Sequence, residues 1–538
     1  MPRPLIKDGQ DGFGTLNLTS DPAHLGPREV QLAVNAKPTL FGGMQPRDGS
    51  QLVQSFTSGV QNGMIWQNSP NGVPQMLVVS GGQLWTTAMP GAPPWKTSPT
   101  LIGPCSTFAY PPMVAFVDGS GTECVYIGDP AGLWKWNGTA LTKIVQAPSF
   151  SFQALAVQNQ RLFGIANNTS ATPSFNQTLF WSSLNNGDDC GLPTAGQPQK
   201  GSSAIIRTFG ESFLTDLVAF GPGLVIGHFA GLSMWTGWSQ DDISIQSGTH
   251  GISAETGVFG PHSMCTVESY GFLASDHGAY TVNPWGMLSQ VSKPLEKIWP
   301  SIIGQPQYGS SVGFLNPTVT VLHNQQARSV YFLTPANSSG LVPNSIYGYN
   351  YRTESWFGPW TYGFGVVTSL WDGYDQKGNY YVMAGGLNGG VRQIEVPGLG
   401  IDNYDATGLS IANNQTYSYT AQIMSRPFFG RDMQGQPLID TEKAWRYVDV
   451  AAQLPNPASS TINVISYPTQ SVTTINPLRN LSQSPVGDTS PRNYRLQAGV
   501  RGQACVILIQ DTPPANTANG QNTYTSAKAV GWDYGRRY

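Results

Sequence analysis

The sequence predicts an all-β fold. Residues 1–61 read as an N-terminal extended arm, 62–396 as a β-propeller-like ring of roughly seven blades, and 397–538 as a C-terminal antiparallel β-sandwich. Three observations carry this. Charged residues are only 11% of the chain, so the polar positions that helices fill with Glu, Lys and Arg are filled by Asn, Gln, Ser and Thr. Turn formers abound (Gly 62, Pro 41) beside 15 Trp, 22 Tyr and 22 Phe, which suits many short strands with aromatic faces. Apolar runs of about four to eight residues recur, each closed by Gly, Asn, Asp or Pro.

In the arm, Pro22, Pro27, Pro38 and Pro46 break any long regular element. One helical turn is expected at Gly26–Leu32, where Pro27 precedes Arg28-Glu29.

From Gln61 to about Glu395 the runs read as strands, among them Met76–Ser80, Gln83–Thr87, Met113–Val117, Cys124–Ile127, Gly132–Trp136, Arg161–Ala166, Thr178–Ser182, Thr215–Phe220, Leu224–His228, Ala279–Val282, Thr318–His323, Ser345–Asn350 and Tyr380–Ala384. They share a phrase: an apolar strand, a turn, a second strand ending in a small residue, then Gly and a strand carrying Trp or Tyr. MLVVSGGQLWT, CVYIGDPAGLWKWNG and FLASDHGAYTVNPWG are three instances. Units begin near residues 62, 105, 151, 213, 263, 312 and 361, a spacing of roughly 40–60 residues that fits one four-stranded blade each. Such repeats cannot bury an apolar face singly, so they stack, with aromatics between blades. A pair of orthogonal sandwiches is the rival arrangement.

Residues 399–415 turn polar and read as a linker. Beyond it, Thr416–Met424, Trp445–Ala452, Thr461–Ser466, Asn493–Ala498 and Ala504–Gln510 read as longer strands, and the alternation in Trp445-Arg446-Tyr447-Val448-Asp449-Val450 predicts one buried and one wet face. The loops Leu454–Ser460 and Ser482–Arg492 connect them.

Several classes of function find no support. Hydrophobic content is too high and net charge (-3) too small for a disordered chain, and that charge supplies no electrostatic pull toward nucleic acid. Cys105, Cys124, Cys190, Cys265 and Cys505 contain no CxxC pair and read as reduced, buried thiols, a Cys105–Cys124 bridge being the alternative. The N-terminus lacks the apolar stretch of an export signal, and no run is long enough to span a membrane, so synthesis and folding in the cytoplasm are expected. A surface with so little charge suits a protein largely covered by neighbours in an assembly.

Searches for chemistry return no HExxH, G-x-S-x-G, P-loop or dinucleotide-binding motif. His24, His228, His250, His262, His277 and His323 form no local metal pair. Ser275-Asp276-His277-Gly278 and Asp118-Gly119-Ser120-Gly121 are the nearest fragments to the Asp-box of propeller glycosidases, and ordinary hairpin turns explain both. Asp188-Asp189 and Asp241-Asp242 are candidate Ca²⁺ or acid/base pairs, read instead as solvated turns. Trp134 and Trp136 share a strand face and offer a sugar platform, although packing between blades explains them as well. No catalytic, cofactor or metal residue is therefore assigned, and no enzyme activity is expected.

Three phrases carry a resemblance. The first is Gly14-Thr15-Leu16-Asn17, Asp21-Pro22, Leu25, Glu29-Val30, Asn35 and Arg47-Asp48-Gly49. The second, and most specific, is Gln160-Arg161-Leu162-Phe163 followed by Leu179-Phe180-Trp181-Ser182-Ser183-Leu184-Asn185-Asn186-Gly187-Asp188-Asp189. The third is Lys443-Ala444-Trp445-Arg446 with Val500-Arg501-Gly502-Gln503-Ala504-Cys505. In order and spacing they resemble the tail nozzle family of short-tailed phages, also called tail tubular protein B. The second phrase departs from the family in having Asn186-Gly187 where Pro is frequent and Cys190 where an aromatic is frequent.

The resemblance implies a non-catalytic virion protein of the tail, a hexameric homo-oligomeric ring around the DNA exit channel. Its neighbours would be a tail adaptor or tube protein and, at the side, fibres or spikes, with DNA in transient passage. A channel wall poor in Lys and Arg fits such a role, because each phosphate contact would slow exit. Two other readings stand beside it: a tail-tip or receptor-binding propeller that recognises host glycan or protein, and a propeller glycoside hydrolase.

Overall fold

The computed structural model describes residues 5–533, except 40–41, 94, 96–98, 131, 145–149, 169–177, 191–201, 206–213, 222, 238–248, 259, 304–306, 309–314, 317–318, 336–342, 403, 406–415, 432–437, 440–441, 468–471, 476–489 and 516–520. Asp241-Asp242, most of the expected linker and most of the Ser482–Arg492 loop lie outside the described residues.

The chain is an all-β seven-bladed propeller fused to a β-sandwich. The first strands of the blades are Val60–Trp66, Met113–Val117, Phe150–Gln158, Leu214–Phe220, Met264–Val267, Thr320–Asn324 and Val367–Tyr374. Each packs against the next, and the seventh packs against the first, so these seven inner strands close a ring about an axis. Blades one to five are four-stranded antiparallel sheets whose strands run outward in chain order. Their tight hairpins follow from the short Gly-containing turns seen in the sequence, such as Ser80-Gly81-Gly82-Gln83.

Among the described residues, seven hydrophobic clusters hold the ring. Six fill one blade junction each, for instance Phe163, Leu179 and Trp181 against Leu214 and Trp235 between blades three and four. The seventh spans the junction of blades five and six and continues into the sandwich, joining Trp299 and Trp356 to Trp445. The short helix Trp299–Ile303, in the connection between blades five and six, buries Trp299, Ile302 and Ile303 there.

The boundaries drawn at 61/62 and 396/397 do not coincide with the sheets. The described strands of the first 61 residues are built into both units. Gly49–Ser55 pairs with Gly390–Val396 and supplies the outer strand of blade seven. The ring is thus closed by the two ends of its own sequence. Leu32–Val34 lies between the outer strand of blade six (Ser355–Thr361) and Ala421–Met424, so one nine-stranded sheet runs from the axis to the far edge of the sandwich. Leu5–Gln10 and Met44–Pro46 both pair with Thr523–Asp533 in the second sandwich sheet. Sequence pattern does not reveal these pairings because edge partners are chosen by tertiary geometry, not by local periodicity.

The helical turn expected at Gly26–Leu32 is not formed. The only helical turn nearby is the 3₁₀ segment Pro22–His24. Glu29 instead turns its carboxylate back to accept the Gly26 N–H at 2.7 Å and starts a strand that pairs with Thr15–Leu16. In the sandwich, Arg492–Gly502 shows strict exposed/buried alternation over most of its length, and Lys443–Gln453 carries a bulge between Trp445 and Tyr447 that keeps Trp445, Val448 and Val450 inward. All five cysteines are free thiols, so the Cys105–Cys124 bridge is absent.

Candidate functional site

The inner strands repeat one device. Four of them carry a bulge near their start, between Val60 and Asn62, Phe152 and Ala154, Leu214 and Asp216, and Val367 and Ser369. A bulge re-aims a side chain, and here polar groups at or beside it fasten to the entry of the next blade. Asn62 Nδ2 donates to the Pro111 carbonyl (2.8 Å), and Gln153 Nε2 donates to that of Leu214 (3.1 Å). Asp216 Oδ2 accepts the Met264 N–H at 3.0 Å, and Thr368 Oγ1 donates to the Val60 carbonyl at 2.6 Å. Ser263, just before the inner strand of blade five, donates to the Val319 carbonyl at 2.8 Å.

The same end of the ring is crossed by the connection between blades one and two. Gln61 Nε2 donates to the Phe108 carbonyl, and the chain then delivers Tyr110 against His262 at the entry of blade five, with ring centroids 4.3 Å apart. Thr320 of blade six and the Leu370 N–H of blade seven lie within hydrogen-bonding reach of the Tyr110 phenol. Contact with blades five, six and seven from the blade one–two junction means that Tyr110 spans the axis. Burial pushes its phenol up to about 12.

Burial also governs the titratable groups around it. The Asp216 carboxyl is pushed up to about 7 against the pull of backbone N–H donors from Leu217, His262, Ser263 and Met264. His262, with φ +60°, is pushed down to about 4 by burial, and its Nε2 meets no partner among the described residues. Cys265 is shifted upward by burial, with the Asp372 and Asp216 charges adding to the effect, so its thiol is poorly suited to act as a nucleophile. Asp372 rises to about 6 through burial while accepting the Tyr380 hydroxyl at 2.8 Å. Each carboxylate is committed to structural donors, and the arrangement serves to lock strand junctions.

The acidic motifs that lie among the described residues resolve as turns, and two of them meet. Asp118 closes the hairpin of blade two. Its Oδ1 accepts from Ser120 N (2.9 Å), Ser120 Oγ (2.6 Å) and Thr122 N (3.1 Å), and these donors outweigh burial to hold it at about 2. Asp188, on a loop of blade three, accepts from Lys135 Nζ at 2.7 Å and from Tyr126 OH at 2.9 Å, and Lys135 also reaches Asp118 at 3.3 Å. Asp189 turns away to accept from Ser183 Oγ at 2.5 Å. Asp276 and His277 form the exposed hairpin tip of blade five. Trp134 and Trp136 pack with Trp66 and Leu77 between blades one and two, Lys143 lying over the Trp134 ring at 5.2 Å. No group of three metal-binding side chains occurs among the described residues.

The three family-like phrases are architectural. Arg47 is fully buried and sandwiched between the Tyr362 and Tyr419 rings (4.3 and 3.9 Å). It donates to Asn35 Oδ1, to the Thr361 carbonyl and to both oxygens of Asp402. Gly49 follows because a Cβ there would lie 2.0 Å from the Ile401 carbonyl oxygen. In the second phrase Arg161 Nη1 donates to the Ser182 carbonyl at 2.8 Å, and Ser182 Oγ accepts the Leu162 N–H at 2.9 Å. The departure at Gly187 has a cause: a Cβ there would lie 2.5 Å from the Tyr126 ring. In the third, Lys443 is fully buried and donates to the Leu438 and Gln503 carbonyls. Neither Lys443 nor Arg47 stands in an apolar run, so the hydrophobic pattern of the sequence does not mark either as buried.

No protein-family model and no curated protein matches the sequence. Solved structures do. The extracellular domain of a hybrid two component system from B. thetaiotaomicron is 12% identical with a TM-score of 0.39, over 66% of this chain and 40% of that one. BBS1N in complex with ARL6DN is 9% identical with a TM-score of 0.41, over 65% of this chain and 96% of that one. The Neurospora crassa Pan2 WD40 domain is 8% identical with a TM-score of 0.38, over 65% and 95%. No helix among the described residues is long and apolar enough to cross a membrane.

Proposed function

We propose that this chain is a non-catalytic structural protein of a phage tail, a subunit of the nozzle-type ring around the DNA exit channel. The observation that carries the reading is the weld between propeller and sandwich. One continuous sheet, one shared core and the buried Arg47–Asp402 pair make a single stiff body, as a load-carrying ring subunit requires. Three phrases of resemblance, lying in the same architectural positions that stiffen this body, add to it. Because Tyr110 crosses the axial mouth, a duplex would pass between copies and not through one. Six copies around the channel, an adaptor or tube protein above and fibres or spikes at the side complete the proposed setting in the virion.

Negative-stain imaging and mass photometry of the purified protein test this. Rings of six copies are expected, and antibody should decorate the tail of the virion. A stable monomer at high concentration, with no tail labelling, would overturn it. A second reading, a receptor-binding module, is favoured by one feature: a groove beneath blade seven.

A further inference from the structure

Beneath blade seven lies a groove of about 1040 Å³, at the upper end of the ~300–1,000 Å³ typical of small-ligand sites. Its wall includes the outer strands of the blade, Gly49–Ser55 and Gly390–Val396, and its rims are turns of blades one, six and seven. Gln51 and Gln393 face each other as partners across those two strands. They are only 9% and 8% exposed, and among the described residues neither side-chain amide has a hydrogen-bond partner in the protein. Neither amide is among the buried side-chain atoms left without a partner, so each opens on the groove with two donors and an acceptor to offer. Two of them side by side on a cavity wall point to a ligand that supplies the partners.

The rest of the lining narrows the ligand. Tyr374 and Tyr380 stand 5.1 Å apart at 57°, and their hydroxyls are tied to Gln325 Oε1 (2.7 Å) and Asp372 Oδ2 (2.8 Å). The rings are therefore held in place, and Tyr374 remains 38% exposed. The charges present are already matched: Lys37 Nζ lies 2.5 Å from Asp48 and 3.2 Å from Glu395, and Asn324 donates to Glu395 at 2.8 Å. Among the described lining residues no unmatched cation stands to select a phosphate, sulfate or carboxylate ligand, and the two carboxylates are engaged as acceptors. Fixed aromatic faces beside unmatched amides suit a molecule with apolar ring faces and neutral hydroxyls.

We propose that this groove binds a neutral oligosaccharide, with Gln51 and Gln393 taking its hydroxyls and Tyr374 and Tyr380 holding an apolar ring face. This deepens the receptor-binding reading and does not depend on ring formation. The test uses the purified full-length protein on an array of neutral and acidic glycans, followed by calorimetric titration of the best neutral oligosaccharide. Binding to neutral glycans is expected, weakened at least tenfold in Q51A/Q393A and in Tyr374→Ala with melting temperature and oligomeric state unchanged. Should the double variant fail to fold, Gln326→Trp on the exposed rim replaces it and is expected to block binding. The proposal is overturned by three outcomes: no glycan binding at millimolar concentration, binding confined to acidic glycans, or equal binding by wild type and the groove variants. Rings without glycan binding would sink this proposal alone, and glycan binding by a monomer would sink the nozzle reading alone.

Discussion

Arg47 and Asp402 form a two-pronged ion pair at 2.8 and 2.6 Å, and neither side chain has any exposure. The pair joins the segment before the first blade to the segment after the last one. Removing one partner strands the other charge in the interior, which costs about 3–5 kcal/mol. Arg47→Met is therefore expected to lower the unfolding free energy measured in urea by an amount of that size. A loss below about 1 kcal/mol would show that the pair is no keystone.

Closure of the ring by Gly49–Ser55 makes a second prediction. Deleting residues 1–56 leaves the Gly390–Val396 edge unpaired, and an unpaired apolar edge invites association. The truncated chain is expected to aggregate during purification. Recovery of a monodisperse truncated protein with the wild-type melting temperature would refute this account of closure.

Trp181 is fully buried between blades three and four. Trp181→Ala is expected to cost about 3–5 kcal/mol of stability through the cavity it opens. Thermal melting checks this, and an unchanged melting temperature would place the ring's cohesion elsewhere.

Asp216 and His262 predict opposing pH effects. Asp216 is raised in the fold, from 3.8 to about 7, so the stability it contributes is present at low pH and lost as pH rises through that window. His262 is lowered, from 6.5 to about 4, so its contribution is present above that range and lost as pH falls through it. Between about pH 4 and 6.5 the two oppose each other. Relative to wild type, Asp216→Asn should gain stability with rising pH across this range, and His262→Gln should lose it. Urea unfolding at several pH values measures both slopes, and parallel profiles for all three proteins would sink the prediction.

Much of the propeller was legible in the residues. Met113–Val117 and Gly132–Trp136 occupy the same positions in the structure as in the sequence reading; four expected units begin within two residues of a blade's first strand, and those expected near 105, 312 and 361 begin at Met113, Thr320 and Val367. This works because each blade is a local meander whose turns and alternation are encoded in consecutive residues. The strand Thr523–Asp533 went unread: its mixed run of small and polar residues gives no clear period, although it forms the centre of a sandwich sheet.

The site was less legible. Asp118 and Asp188 looked like separate acidic turns, and only the packing of blade three on blade two brings both to Lys135. Gln51 and Gln393 carry no sequence signal at all. Their pairing exists because the strand that precedes the first blade completes the last one.

The amino-acid order alone determined that the chain is all-β and where most blade strands begin and end. These follow from turn chemistry and a two-residue period, both local properties. Tertiary structure decided the rest: which strand closes the ring, how residues 1–61 are divided between propeller and sandwich, and which polar side chains are left facing a groove. Those outcomes depend on edge pairing and burial between segments hundreds of residues apart, and no local pattern specifies such contacts.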